Sequence, residues 1–291
     1  MKNDLREVLD KYNINSSKIT IRGNTRIIDD RLVFKPRVNN DILKTYDYLK
    51  SRAFDYFPYP IEINKSFEIY PFIEDIHEPV EQKALDLMYL ISLLHSKTTF
   101  YKEIDIDRIK EIYESMIEKT NYLDNYYNNI IDNIEREVYM SPSSYLIARN
   151  INIIFSSIYY VKDSIEKWYK LVQDNKNMRN VFIHGNINLN HYLKSDKPYL
   201  ISFNKSRIDS PIFDLLSFYK SHYLNIDFND LFKYYEIKYP LKEEERLLLF
   251  CYMAIPPVIE DSGNEYNMCI KINKIIDYLY KTSNLIMNYQ K

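Results

Sequence analysis

Glycine is nearly missing from this chain of 291 residues: Gly23, Gly185 and Gly263 are the only three, about one seventh of ordinary usage. A dinucleotide-binding turn needs G-x-G-x-x-G and a Walker-type phosphate loop needs G-x-x-x-x-G-K-[ST]. Three glycines this far apart build neither. A collagen-like chain is excluded, and a glycine-hinged β-sandwich is disfavoured. Cysteine is also sparse. Cys251 and Cys269 have no histidine between them, which is not zinc spacing. A disulfide framework is not expected at this size, and a reducing cytoplasm fits. Charge of one sign is absent: 39 Lys and Arg face 41 Asp and Glu, for a net charge of −2. That is neither the basic excess of a nucleic-acid binder nor a charged tail. The most apolar run, residues 247–259, contains Pro256-Pro257. It is too short to cross a bilayer and reads as a buried helix. No apolar stretch follows Met1 to Arg6, so no signal peptide is expected.

Among the residues that are plentiful, the 29 tyrosines accompany abundant Ile, Asn and Lys, as the codons of an AT-rich gene would supply. They carry no functional reading by themselves. Residues 18–36 alternate with period two around breaks at Gly23-Asn24 and Asp29-Asp30, which predicts three antiparallel strands. A helix follows over about 40–54, with Ile42, Tyr46, Leu49 and Ala53 on one stripe and Pro58 and Pro60 after it. Residues 61–73 predict two further strands around Asn64-Lys65. The chain then turns helical. A buried helix is expected over 80–96, apolar on more than one face. An antiparallel hairpin should follow, of one helix over 105–138 and a second opened by Ser141-Pro142. Strands return between 181 and 204, and helices run to the C-terminus, the last about 265–289. The order predicts a two-lobed α+β protein, with a small antiparallel-sheet N-lobe over 1–75 and a mainly helical C-lobe over 76–291.

One segment carries chemical information: His184-Gly185-Asn186, with His191 five residues on, then Ile201-Ser202-Phe203-Asn204, then Pro211 with Asp214-Leu215. It resembles the catalytic segment of the kinase-like small-molecule phosphotransferases, the aminoglycoside and choline kinase superfamily with its spore-coat CotS-type branch. Their pattern is H-G-D-x-x-x-x-N, a short hairpin, D-F-x, and later P-x-x-D-L. Leu93-Leu94-His95-Ser96 is similar to the end of the family's buried helix. Leu32-Val33-Phe34-Lys35 is similar to its third strand with the phosphate-binding lysine, and Ile69 to Glu74 to the hinge between lobes. The resemblance implies a bilobal kinase-like fold. It assigns Lys35 to nucleotide phosphate and Asp47, on the following helix, as the nearest stand-in for that lysine's acidic partner, Asp41 being the other acid there. It gives His184 and Asp214 structural roles in holding the loop.

Four positions depart from the pattern. The loop aspartate that accepts the substrate's hydroxyl proton is Asn186, and a carboxamide has no acid–base equilibrium in range. The metal-binding loop asparagine is His191, with Asn190 beside it. The metal-binding aspartate of the D-F-x turn is Ser202, and the third residue of that turn is Asn204. Mg²⁺ prefers anionic oxygens, and these positions offer none. No catalytic residue and no metal site are therefore expected. The implied protein is a pseudokinase, a binding or scaffold module for a protein partner, in a cytoplasmic or spore-coat setting. It needs no cofactor, and ATP binding without Mg²⁺ is compatible with it. No nucleic-acid or membrane partner is expected. The alternative is an active ATP-dependent phosphotransferase on a small hydroxyl compound, which requires a displaced acid such as Asp196 or Asp209. His77, His95 and His222 read as ordinary, and Cys251 as an inert core thiol.

Overall fold

The computed structural model describes residues 18–37, 42–260 and 263–289. The expectations for Met1 to Arg6 and for Asp41 fall outside them. The N-terminal part is a five-stranded antiparallel sheet of order β1-β2-β3-β5-β4. Its strands are β1 (Ile19–Arg22), β2 (Thr25–Ile28), β3 (Leu32–Pro36), β4 (Glu62–Ile63) and β5 (Phe67–Pro71). Gly23 takes a positive φ of 57° in the two-residue turn where Arg22 pairs with Thr25, as a tight hairpin requires. The pleat divides the sheet. Leu32, Phe34, Phe67 and Ile69 form a small core with Ile28 on one face, while Val33, Lys35, Glu68 and Tyr70 fall on the other by register.

Helix α1 (Ile42–Ser51) buries Ile42, Tyr46 and Leu49 on one stripe, and these join the main core. It ends earlier than the sequence suggests. Ala53 is exposed and left-handed, with φ 56°, and the Phe54 N–H closes onto the Leu49 carbonyl at 2.9 Å. This is a six-to-one helix termination. It turns Phe54 and Phe57 inward, to 0% and 5% exposure, well before the prolines expected to stop the helix.

The C-terminal part is mainly helical. Helix α2 (Val80–Thr98) is buried on several faces. Helices α3 (Ile106–Glu135) and α4 (Pro142–Gln173) form the long hairpin. The contacts Tyr113–Tyr169, Asp124–Lys162 and Ser144–Glu137 run in opposite directions along the two helices, so they are antiparallel. Trp168 is 1% exposed at the hairpin's inner end. A three-stranded sheet of order β10-β7-β6 joins β6 (Phe100–Glu103), β7 (Asn177–Ile183) and β10 (Arg207–Asp209). The strands β6 and β10 were not legible in the sequence. Strands β8 (Tyr192–Lys194) and β9 (Pro198–Leu200) make a short hairpin. Helices α5 (Ile212–His222), α6 (Phe228–Lys238), α7 (Glu243–Ala254) and α8 (Glu265–Tyr289) complete the chain. The apolar run 247–259 is not one helix: α7 stops at Ala254, because the residue before Pro256 is disfavoured in helical conformation.

Candidate nucleotide cleft

A cavity of about 690 Å³ lies between the two parts. From the sheet, Arg22, Val33, Lys35 and Tyr70 line it. Asn190, His191, Ile201 and Ser202 line it from below. Lys35 reaches across: its Nζ donates to Asn204 Oδ1 at 3.5 Å. The sequence-predicted Lys35, His191, Ser202 and Asn204 are thus brought together. Burial lowers the Lys35 ammonium below its ordinary range, and the charge of Glu68 partly opposes the shift.

The acid beside Lys35 is Glu68, which comes from the neighbouring strand β5 and not from the helix where the sequence pattern places it. It is the cross-strand partner of Lys35 and is 1% exposed. The period-two alternation of β5 against β3 was the signal that could have found it. A hydroxyl relay holds its carboxylate: Tyr70 donates to Glu68 Oε2 at 2.8 Å, and Tyr46 of α1 lies 3.3 Å from the Tyr70 hydroxyl. Burial pushes Tyr46 up to about 12 and Tyr70 further in the same direction, so both stay protonated as donors. Helix α1 therefore reaches the lysine's counter-charge through two phenols. Asp47 does not take that part: it is exposed and accepts from Tyr59 at 3.4 Å.

Below the cleft, Asp214 organises the loop. Its Oδ2 accepts from the His184 backbone N–H at 2.8 Å and its Oδ1 from that of Gly185 at 2.7 Å. His95 Nε2 lies 3.1 Å from Oδ2, while His95 Nδ1 meets the Tyr235 hydroxyl at 2.7 Å. Burial alone would raise the Asp214 carboxyl. The His95 hydrogen bond and the Gly185 N–H outweigh this and hold it low. His95 is consequently not an ordinary core histidine but a support of Asp214. Gly185 has φ 75°, and a Cβ there would lie 2.2 Å from the Lys205 carbonyl oxygen, so the turn requires glycine.

His184 is fully buried, and desolvation pulls it down to about 4. Its Nδ1 accepts from the Asn186 N–H at 3.3 Å, so Nε2 donates to the Ile201 carbonyl at 2.8 Å. This ties the loop to the residue before Ser202. His191 Nδ1 donates to the Asn186 carbonyl at 2.6 Å, which leaves Nε2 as an acceptor on the cleft side. Burial lowers its pKa, and the charges of Lys35 and Lys205 add to the shift. Ser202 is left-handed, with φ 73° and ψ 45°.

The acids proposed as stand-ins lie elsewhere. Asp196 accepts from Tyr199 in the β8–β9 turn. Asp209 is held by Arg207 at 2.9 Å, with Arg108 at 3.8 Å. Glu74 and Asp75 do line the cleft, and Asp75 is paired with Lys83 at 2.6 Å. Among the described residues no three His, Cys, Asp or Glu side chains converge on a metal position. An amide, a hydroxyl and an imidazole at 204, 202 and 191 do not fit Mg²⁺, which takes carboxylate and phosphate oxygens. An anion fits better: Arg22 stands on the β1–β2 lip over the cavity and Lys35 inside it.

No family model matches the chain, and no curated protein matches it. Solved structures do. An aminoglycoside phosphotransferase from Alicyclobacillus acidocaldarius subsp. acidocaldarius DSM 446 aligns over 98% of this chain and 92% of its own, with a TM-score of 0.59 at 10% identity. A spectinomycin phosphotransferase in its AMP-bound complex aligns over 96% and 98%, with a TM-score of 0.54 at 14% identity. A choline kinase from Cryptosporidium parvum Iowa II aligns over 98% and 96%, with a TM-score of 0.50 at 13% identity. The fold is that of the kinase-like phosphotransferases. No described helix is long and apolar enough to cross a membrane.

Proposed function

We propose that this protein is a non-catalytic kinase-like module that binds a phosphate-bearing ligand, a nucleotide by preference, in the interlobe cleft without Mg²⁺. One observation carries the reading: Lys35 is anchored across the cleft on Asn204, where the resembled enzymes have an acidic turn. In phosphoryl transfer the protein supplies positioning and charge stabilisation, much of it through metal ions bridging phosphate oxygens. Here Asn186 cannot accept a proton, and Ser202 brings no charge to a metal. Arg22 and Lys35 can still clamp a phosphate from above and from within. The nucleotide preference is supported by the fold, which holds AMP in the spectinomycin phosphotransferase. Action on a protein partner, and a spore-coat setting, follow from the resemblance to the CotS-type branch and extend the same proposal.

Thermal shift with ATP in EDTA and in Mg²⁺ tests it. A stabilisation indifferent to Mg²⁺ and lost in Lys35→Gln is expected, with ATP consumption at background on amino-sugars, choline-like alcohols and sugars. Ser202→Asp with Asn186→Asp should make the shift magnesium-dependent before any turnover appears. Wild-type turnover that survives Asn186→Ala and Ser202→Ala would refute the reading.

A further inference from the structure

A groove of about 750 Å³ lies on the helical part, among α3, the end of α5, the segment after α7, and α8. None of its lining residues lines the interlobe cleft. Four lysines converge on it from three helices: Lys119, Lys220, Lys271 and Lys274. Against them the lining offers one acid, Glu111. Lys271 is already occupied, donating to the Glu260 carboxylate at 3.2 Å and its carbonyl at 3.1 Å. Lys119, Lys220 and Lys274 have no carboxylate at ion-pair distance among the described residues. This is not the by-product of a basic chain, since the net charge is −2.

The floor of the groove is aromatic. Tyr223 and Tyr278 pack edge to face with ring centres 5.0 Å apart. The Tyr278 hydroxyl is fixed on the Met253 carbonyl at 2.8 Å. Tyr252 and Pro256-Pro257 extend the apolar surface. Cations gathered in one concavity repel one another, and a bound anion relieves that repulsion. The volume lies in the range of small-molecule sites, which are apolar-walled with a few convergent polar groups.

We propose that this groove is a second ligand site, for a soluble small molecule that carries several phosphates on a planar or apolar body. Lys119, Lys220 and Lys274 hold the phosphates, and the tyrosines and prolines hold the body. A cationic amine is repelled by the same charges. Lys220 is exposed at the end of α5, and partial desolvation, then the charge of Lys119, lower its proton affinity.

The test uses the full chain with Arg22→Gln and Lys35→Gln, so that the cleft cannot contribute and failure of the cleft reading leaves this one standing. Calorimetric titration with tripolyphosphate in EDTA should give saturable binding that weakens between about 50 and 200 mM salt. Adding Lys119→Gln and Lys220→Gln should cost about tenfold or more in affinity. These lysines have no carboxylate partner among the described residues and repel one another, so the thermal midpoint of the variant without ligand should be unchanged or higher, which separates lost binding from lost folding. Pyridoxal 5′-phosphate supplies a second readout. Its aldehyde condenses with an amine with loss of water, borohydride reduces the imine, and peptide mapping should find the label at Lys220 or Lys119, with protection by tripolyphosphate. Absence of binding in the cleft-disabled protein would overturn the proposal. So would binding indifferent to the groove substitutions, or labelling spread evenly over surface lysines. Preferential capture by phosphatidylcholine vesicles doped with phosphatidylinositol bisphosphate would overturn the assignment to a soluble ligand.

Discussion

Ser202 sits in the left-handed region with φ 73°, where an L-residue other than Gly, Asn or Asp is strained by about 1–2 kcal/mol. Such strain persists only where the surroundings impose it. Here His184 holds the preceding Ile201 carbonyl, and Phe203 is fully buried against the His184 ring at 4.8 Å. Ser202→Asn should therefore raise stability by about 0.5–1 kcal/mol, read as a higher urea midpoint at constant slope. Ser202→Val should lower it, since a β-branched residue is poorly tolerated there. Gly185→Ala is the converse case. Backbone stands 2.2 Å from the added Cβ, so the loop must move, and a loss of well over 1 kcal/mol is expected in the same assay.

At the scale of elements, β7 is the strand that joins the helical part together. It pairs with β6 on one side and β10 on the other, and it carries Arg179. That guanidinium donates to both carboxylate oxygens of Glu245 in α7 and lies 4.2 Å from the Tyr239 ring centre. The side chains are 9% and 7% exposed, so removing one partner leaves a poorly solvated charge. Arg179→Gln or Glu245→Gln should each cost about 3 kcal/mol. The double variant should cost less than the sum, and additive losses would refute the coupling. The hydrophobic periodicity showed the helices and the three N-terminal strands, because a stripe such as Ile42, Tyr46 and Leu49 is a local property. It did not show β6 and β10. Phe100–Glu103 and Arg207–Asp209 are short, half-polar and flank β7 from both sides, and what makes them strands is pairing with residues 74 and 24 or more positions away. The same limit applies to the site. Asn186, His191, Ser202 and Asn204 were found because they lie on one contiguous segment. Glu68 and Arg22 reach the cleft only through sheet register, and His95 meets Asp214 across 119 positions.

For the whole molecule, stability should depend on pH through histidines that the fold keeps neutral. His184, desolvated in the core, is lowered to about 4. His191 is moved the same way, by burial and then by Lys35 and Lys205, and His222 by burial. In the unfolded chain each takes up a proton near 6.5. Between about pH 6.5 and 4 the unfolded state thus binds more protons than the folded one, and the free energy of unfolding rises with pH across that window. His184 alone gives a slope approaching one proton, about 1.4 kcal/mol per pH unit. Asp214 acts in the same direction but lower. Its carboxyl is held below the ordinary range, so its contribution is lost only on further acidification through its folded value. Urea midpoints measured from about pH 7.5 down to 4 should be level at first and then fall steadily below about 6.5. The imidazole resonances of His184 should still report the neutral ring at about pH 5. A midpoint that stays level to pH 4, or a His184 ring that titrates near 6.5, would show that the loop is not closed over His184. The hydrogen bonds from Asp214 to the loop, and from His184 to Ile201, would then not be what holds the cleft floor in place.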